Sequence, residues 1–188
     1  MSLAIAILAA GGATRFGGGK LDALLAGKPV GRWALDAALA VPHERLCVVV
    51  GEPAPAFAQG CELLVNVGAA EGIGTSAAMA ARWAQGSDAL MVMLADMPLI
   101  SPATLGKLVA SEPPAAVAYP AGKAGAPACF PAALFPALEG LGGDAGAAQV
   151  LRGLANVTLI ETPADELRDV DRPEDLEVIT ALLIRRLT

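Results

Sequence analysis

The stretch Leu8-Ala9-Ala10-Gly11-Gly12-Ala13-Thr14-Arg15-Phe16-Gly17-Gly18-Gly19-Lys20 follows directly on apolar residues 3–7 and reads as a strand running into a loop of small residues. Small side chains leave backbone N–H groups open to a phosphate or a base, and Arg15 and Lys20 add charge for oxygens. Two common phosphate motifs fail here on spacing. A Walker A loop needs glycine six residues before its lysine and Ser or Thr after it, where this chain has Thr14 and Leu21. A dinucleotide G-x-G-x-x-G through Gly17 and Gly19 needs glycine at Asp22. On this stretch alone, a glycine loop without a ligand stays open.

Outward from the loop, short apolar runs alternate with Ala/Leu stretches at helical spacing. They predict strands over 3–8, 46–50, 62–65, 90–94, 116–119 and 157–161, and helices over 30–40, 76–84, 102–110, 132–138, 145–154 and 173–187. Such alternation implies an α/β fold, a mostly parallel sheet with helices on both faces, whose strands aim their carboxyl ends at one crevice. Ser101 before Pro102 reads as an N-cap with proline at the first helical position. Asp171 with Glu174 reads as a capping box. Within the Gly- and Pro-rich residues 119–131, Ala128-Cys129-Phe130 is expected as a small antiparallel edge strand near a second substrate. No linker, repeat or charge run divides the 188 residues, so a single domain over 1–188 is expected.

Composition narrows the function. The chain is 55% hydrophobic with mean hydropathy +0.56, yet 41 of its residues are alanine and no window approaches the ~20 uninterrupted apolar residues of a membrane span. Residues 1–10 lack the basic start of a signal peptide, and a cytoplasmic protein is expected. Cys47, Cys61 and Cys129 form no C-x-x-C pair and read as free thiols, and the sole histidine, His43, lies in a loop. A net charge of −6 with thirteen scattered basic residues argues against a nucleic-acid surface, so any phosphate site must be local.

Further constellations carry chemistry. Asn66 is followed by Glu71-Gly72-Ile73-Gly74-Thr75-Ser76 at a helix start, where glycine admits a ligand to the backbone and Ser or Thr either caps the helix or bonds a base or ribose. In Leu94-Ala95-Asp96-Met97-Pro98 a hydrophobic strand ends in a carboxylate, which either shapes the turn or ligates a hard cation. In Asp169-Val170-Asp171-Arg172-Pro173-Glu174-Asp175-Leu176 the Asp171 side chain either caps the last helix or binds metal across the crevice from Asp96.

The opening run resembles the signature of the MobA-like nucleotidyltransferases, L-A-A-G-x-S-x-R-M-G-x-x-K: Leu8, Ala9, Ala10, Gly11, Arg15, Gly17 and Lys20 match, while Ala13 stands for Ser and Phe16 for Met. The Leu24-Leu25-Ala26-Gly27-Lys28-Pro29 segment, the E-G-x-G-x-S run, the Asp-x-Pro of Asp96 and the Asp169–Leu176 segment are similar to family motifs too, with Arg172 where Thr is usual. The resemblance implies a three-layer α/β/α, Rossmann-like nucleotidyltransferase fold, with residues to about 100 serving the nucleotide and about 101–188 the acceptor. It implies that Leu8, Ala9, Ala10 and Gly11 hold the base, that Arg15 and Lys20 hold the phosphates, and that Gly74 and Ser76 flank the nucleotide. Asp96 and Asp171 become metal ligands for Mg²⁺ or Mn²⁺, with Asp169 a further candidate. Arg15, Lys20 and Asp96 are the expected catalytic residues.

Gly125-Ala126-Pro127 and Gly142-Gly143-Asp144-Ala145-Gly146-Ala147 resemble the G-H-P and G-D-K-G-A-R segments of the molybdenum cofactor cytidylyltransferase branch. That likeness implies CTP over GTP, a molybdopterin acceptor contacted by Gly125, Pro127 and Asp144, and a transient contact with a molybdenum hydroxylase. Ala126, Ala145 and Ala148 replace the His, Lys and Arg usual there. Their loss keeps other acceptors open, such as a sugar or alditol phosphate, together with guanylyl transfer. A module that binds and delivers a cofactor without turnover is the alternative of a different class.

Overall fold

The computed structural model describes residues 1–12 and 15–187. Ala13 and Thr14, weighed in the loop motif, and Thr188 lie outside the described residues. A seven-stranded sheet runs in the order β5-β4-β1-β6-β8-β7-β9, where β1 is Leu3–Ala9, β4 Arg45–Val50, β5 Glu62–Val65, β6 Ala89–Leu94, β7 Ala115–Tyr119, β8 Lys123–Pro131 and β9 Thr158–Ile160. Every pairing is parallel except those of β8 with β6 and β7. A two-stranded hairpin, β2 (Leu24–Leu25) with β3 (Lys28–Pro29), stands apart.

Burial on both faces explains the apolar strands. Leu3, Ile5 and Ile7 of β1 pack toward Leu35 of α1 (Val30–Leu39) and Leu105 and Leu108 of α3 (Pro102–Ala110). Ala4, Ala6 and Leu8 face α2 (Ile73–Trp83), α4 (Phe135–Glu139) and the four-residue α5 (Ala148–Leu151). On that face Ala77, Ala80, Ala81 and Ala84 meet Ala4 and Ala6. Small residues on both sides bring helix and sheet close, so the alanine excess forms a core layer. The last helix, α6 (Asp175–Leu187), packs Ile179 and Leu183 against Leu25, Val30, Leu99 and Val170. Among the described residues no helix is long and apolar enough to cross a membrane.

Several expectations change. The antiparallel strand exists, but β8 runs over nine residues between β6 and β7 and is no edge; β5 and β9 are the edges. Pairing between segments far apart in sequence decides this, and a short apolar run carries no sign of it. Helix 145–154 shrinks to α5, held between Gly146 and Gly153. Residues 132–134 form a 3₁₀ turn ahead of α4. Ser101 does cap α3, accepting a hydrogen bond from Thr104 N at 3.1 Å.

The capping box does not form. α6 starts at Asp175, whose Oδ2 accepts from the backbone N–H groups of Asp171 and Arg172 at 2.8 and 2.7 Å. Asp175 thus satisfies the donors ahead of the helix, and the Asp171 side chain is left for other partners.

Candidate active site

Connections leave β1 toward β4 and β5 on one side, and β6 lies on its other side. The crevice at the carboxyl ends of β1 and β6 is therefore the switch point of the sheet, where ligands of such folds bind. Leu8, Ala9, Ala10 and Gly11 from the end of β1, with Lys20, Ser76 and Asp96, line a cavity of about 270 Å³ there.

The loop is shaped by its glycines. Gly17, Gly18 and Gly19 all have positive φ, at 89°, 97° and 63°, a conformation that other side chains rarely adopt. Phe16 anchors the loop by packing against the α6 cluster. Past the glycines, Asp22 accepts hydrogen bonds from Ala56 N and Phe57 N, both at 2.8 Å. Lys20 is thereby held with its ammonium 2.7 Å from Asp96 Oδ2 and 3.8 Å from Asp171 Oδ1. Arg15 reaches Asp171 Oδ2 at 3.2 Å, with 72% of its side chain exposed, so this pair contributes little to stability and leaves Arg15 able to change partners.

Asp96 lies two residues past the end of β6, and the segment of Asp169 and Asp171 is tied to it by Val170 N donating to Asp96 O at 2.9 Å. Val170 is fully buried. Its neighbours on either side present carboxylates, and one oxygen each of Asp96, Asp169 and Asp171 lies within 4.8 Å of the others. Partial burial, then the negative charges of Asp96 and Asp171, push the Asp169 carboxyl above its ordinary value. Three converging carboxylates, countered in this structure by the Lys20 ammonium, are a donor set that fits a hard divalent cation.

Ser76 is buried and accepts from Asn66 Nδ2 at 2.9 Å; the same amide donates to Thr75 Oγ1 at 2.8 Å, and Asn66 Oδ1 accepts from Gly68 N at 3.0 Å. Asn66 so fixes the loop before α2. Because α2 starts at Ile73, Ser76 lies inside its first turn and is no cap. Gly74 does not line the cavity. A Cβ there would meet Gly142 O at 2.7 Å, so its smallness serves the packing of residues 142–143 on the helix start, where Gly74 N donates to Gly143 O at 2.9 Å. Gly72, which does line the cavity, is closed to a side chain by the Gly143 carbonyl and has φ 121°.

A second cavity of about 330 Å³ adjoins the first, sharing Leu8, Ile73 and Leu94 with it and adding Val92, Tyr119 and Gly125. Gly125 is required because the Tyr119 ring lies against it. The Tyr119 hydroxyl donates to Ala126 O at 3.1 Å and stands 3.9 Å from Met97 Sδ, bridging the turn after Asp96 to the bulge of β8. Burial, then the charges of Asp169 and Asp96, push that hydroxyl up to about 12. Of the expected acceptor residues only Gly125 lines this cavity; Pro127 is buried in β8, and Asp144 is exposed and lines neither cavity. Tyr119 and Asp22 escaped the sequence reading. A lone tyrosine before a Pro/Gly stretch was a usable signal for the first, and nothing local marks the second.

A glycine loop at a sheet switch point, faced by a lysine and three carboxylates, has the chemistry that suits a phosphate-rich ligand with a divalent cation. The model of the MobA-like NTP transferase domain matches residues 5–162. The chain is 33% identical over 190 residues to the purine catabolism protein PucB of Bacillus subtilis (strain 168), covering 92% of this chain and 93% of that one. Among solved structures it resembles a nucleotidyl transferase from Methanothermobacter thermautotroptrophicus (Mth528), with TM-score 0.83, 20% identity and 98% and 99% of the two chains covered. It also resembles the manganese complex of Rv0371c from Mycobacterium tuberculosis H37Rv, with TM-score 0.75, 24% identity and 96% and 99% covered. The chain belongs to the MobA-like NTP transferase family and is a nucleotidyltransferase.

Proposed function

We infer that the protein transfers CMP from CTP to the phosphate of an acceptor, molybdopterin, and releases pyrophosphate. The observation that carries this is the convergence of Lys20, Asp96, Asp169 and Asp171 beside the glycine loop. The acceptor phosphate oxygen attacks the α-phosphorus as the bond to the pyrophosphate breaks, a step that depends on placement and charge neutralisation and needs no protein nucleophile.

Leu8, Ala9, Ala10 and Gly11 bear on the base, with Ser76 behind them. Lys20 and Arg15 exchange their carboxylate partners for phosphate oxygens and stabilise the departing pyrophosphate. Asp96 and Asp171, with Asp169, would hold Mg²⁺ or Mn²⁺, which supplies charge neutralisation of the triphosphate when bound. The manganese named in the Rv0371c complex is consistent with that choice of ion. In this reading residues to about 100 serve the nucleotide and the rest serve the acceptor.

The preference for CTP rests on the likeness of residues 142–147 to the cytidylyltransferase segment. Molybdopterin is supported by the second cavity, whose Leu8, Ile73, Val92, Leu94 and Tyr119 walls suit a flat ring system and offer a polyol few hydrogen bonds. The relative's assignment to purine catabolism is consistent with cytoplasmic service to a hydroxylase in such a route. Calorimetry with CTP and GTP tests the nucleotide: CTP is expected to bind at least about tenfold tighter, about 1.4 kcal/mol, and equal binding removes the cytidylyl assignment. Pyrophosphate release with molybdopterin, sugar phosphates and alditol phosphates tests the acceptor, and turnover confined to the latter two overturns molybdopterin.

A further inference from the structure

Asn66 directly follows β5, is only 4% exposed, and has the direction of each of its side-chain hydrogen bonds fixed by its partners. The backbone N–H of Gly68 can only donate, so the amide atom facing it at 3.0 Å is Oδ1. Nδ2 then points the other way with two protons, one to Thr75 Oγ1 at 2.8 Å and one to Ser76 Oγ at 2.9 Å. Both hydroxyls are acceptors toward Asn66, and each must donate elsewhere.

Thr75 donates to backbone carbonyls, Gly72 O at 2.8 Å and Gly68 O at 3.2 Å. Ser76 differs. It is 3% exposed and its proton meets no acceptor among the described residues, yet Ser76 lines the cavity at the end of β1 together with Leu8, Ala9 and Ala10. A buried donor without an acceptor costs free energy, which a ligand atom that accepts from it restores.

We propose that Asn66 is a specificity-determining positioning residue: it makes Ser76 a donor of one polarity, which selects a base that presents a hydrogen-bond acceptor. The inference rests on the nucleotide site and the CTP preference inferred above and adds how the base is read. Cytosine suits such a donor, because its N3 and O2 acceptors are adjacent on one edge. The corresponding edge of guanine carries N1–H and N2–H donors beside its one carbonyl, and these would oppose the Ser76 proton. Asn66→Asp keeps the shape of the side chain and the bond from Gly68 N, but a carboxylate takes hydroxyl protons where the amide supplied its own. Ser76 would then turn its proton away from the cavity and offer a lone pair there.

The test is calorimetry with CTP, GTP and ribose 5-triphosphate on the wild-type chain, Asn66→Asp, Ser76→Ala and the double variant. Ribose 5-triphosphate carries the phosphates without a base, so its comparison with CTP in each protein cancels the charge that Asn66→Asp adds. The advantage of CTP over ribose 5-triphosphate is expected to fall at least about tenfold in Asn66→Asp and in Ser76→Ala, the scale of one lost hydrogen bond in a buried site. It is expected to fall no further in the double variant, because both changes remove the same donor. The preference for CTP over GTP should fall with it in Asn66→Asp. An unchanged advantage in either single variant overturns the proposal, and so does a full second loss in the double variant, which marks Asn66 as a structural residue of the loop alone. If Asn66→Asp does not fold, Ser76→Ala decides by itself. Tighter binding of GTP than CTP by wild type removes the cytidylyl assignment; Asn66 then keeps its role if the advantage of GTP over ribose 5-triphosphate falls in the same non-additive way, and loses it if that advantage is unchanged.

Discussion

Lys20 ties the carboxylates of the site together. Its ammonium, with a side chain only 11% exposed, balances Asp96 and Asp171, and the proposed function has the same group move onto the triphosphate. Lys20→Ala is expected to weaken CTP binding by at least about tenfold, the scale of one lost charged hydrogen bond, with circular dichroism unchanged; unaltered affinity counts against a phosphate role. Cysteine chemistry is decided by burial. The Cys47 and Cys129 thiols are pushed up to about 12 by burial, Cys47 also feeling the charge of Glu62. At pH 8 iodoacetamide should therefore modify Cys61 alone in the native protein and all three after denaturation, as read by mass spectrometry. Rapid labelling of three native thiols would contradict the buried placement.

Asp36 of α1 shows how a surface residue responds to pH. Burial alone would raise its carboxyl, but hydrogen bonds from Lys28 at 2.6 Å and Arg32 at 2.7 Å outweigh that and hold it below the ordinary value. A lowered folded value means stability that is present above the unfolded carboxyl's titration near pH 3.8 and is lost as pH falls through the folded one. Asp36→Asn should flatten the acid side of a melting-temperature profile and lower stability at pH 7 by less than about 1 kcal/mol, because the pair is about one-third exposed. An acid limb identical to wild type would remove this contribution.

At the scale of elements, the β2–β3 hairpin carries a local conflict. Ala26 and Gly27 both have positive φ, 50° and 83°, the requirement of a two-residue turn that favours Asn-Gly. Alanine is strained there, so Ala26→Asn should stabilise by ~1 kcal/mol, raising Tm by about 2–4 °C in a chain of this size. A lower Tm would show that the turn is not as described. The elements also show where sequence reading stops. Strands β1, β4, β5, β6, β7 and β9 were legible to within one residue at either end; in β1, β4, β6 and β7 burial leaves continuous apolar runs, whereas the largely exposed edge strands β5 and β9 show only as short apolar segments between turn residues. The start of α2 was three residues off because Gly72 and Gly74 look like breakers, although they are small to let the 142–143 turn dock. The start of α6 was missed because Asp171 and Asp175 both have the chemistry of a cap, and only the fold shows that Asp175 does it.

For the whole molecule, the site is a product of topology. The glycine loop, Asp96 and the Asp169–Asp171 segment are each legible as motifs, yet they are 76 and 156 residues apart in the pairs Lys20–Asp96 and Arg15–Asp171. What joins them is the adjacency of β1 and β6 and one backbone bond from Val170 to Asp96. The second cavity was less legible, since Tyr119 matches no local pattern and reaches the turn after Asp96 only through the inner placement of β8. The central claim is that the carboxylates facing this loop support nucleotidyl transfer, and the direct measurement is Mg²⁺-dependent pyrophosphate release from CTP and molybdopterin by wild type and Asp96→Ala. Release is expected to require the cation and to fall at least about 100-fold in the variant, the scale of several kcal/mol of lost charge stabilisation. Equal turnover by the two proteins would contradict it.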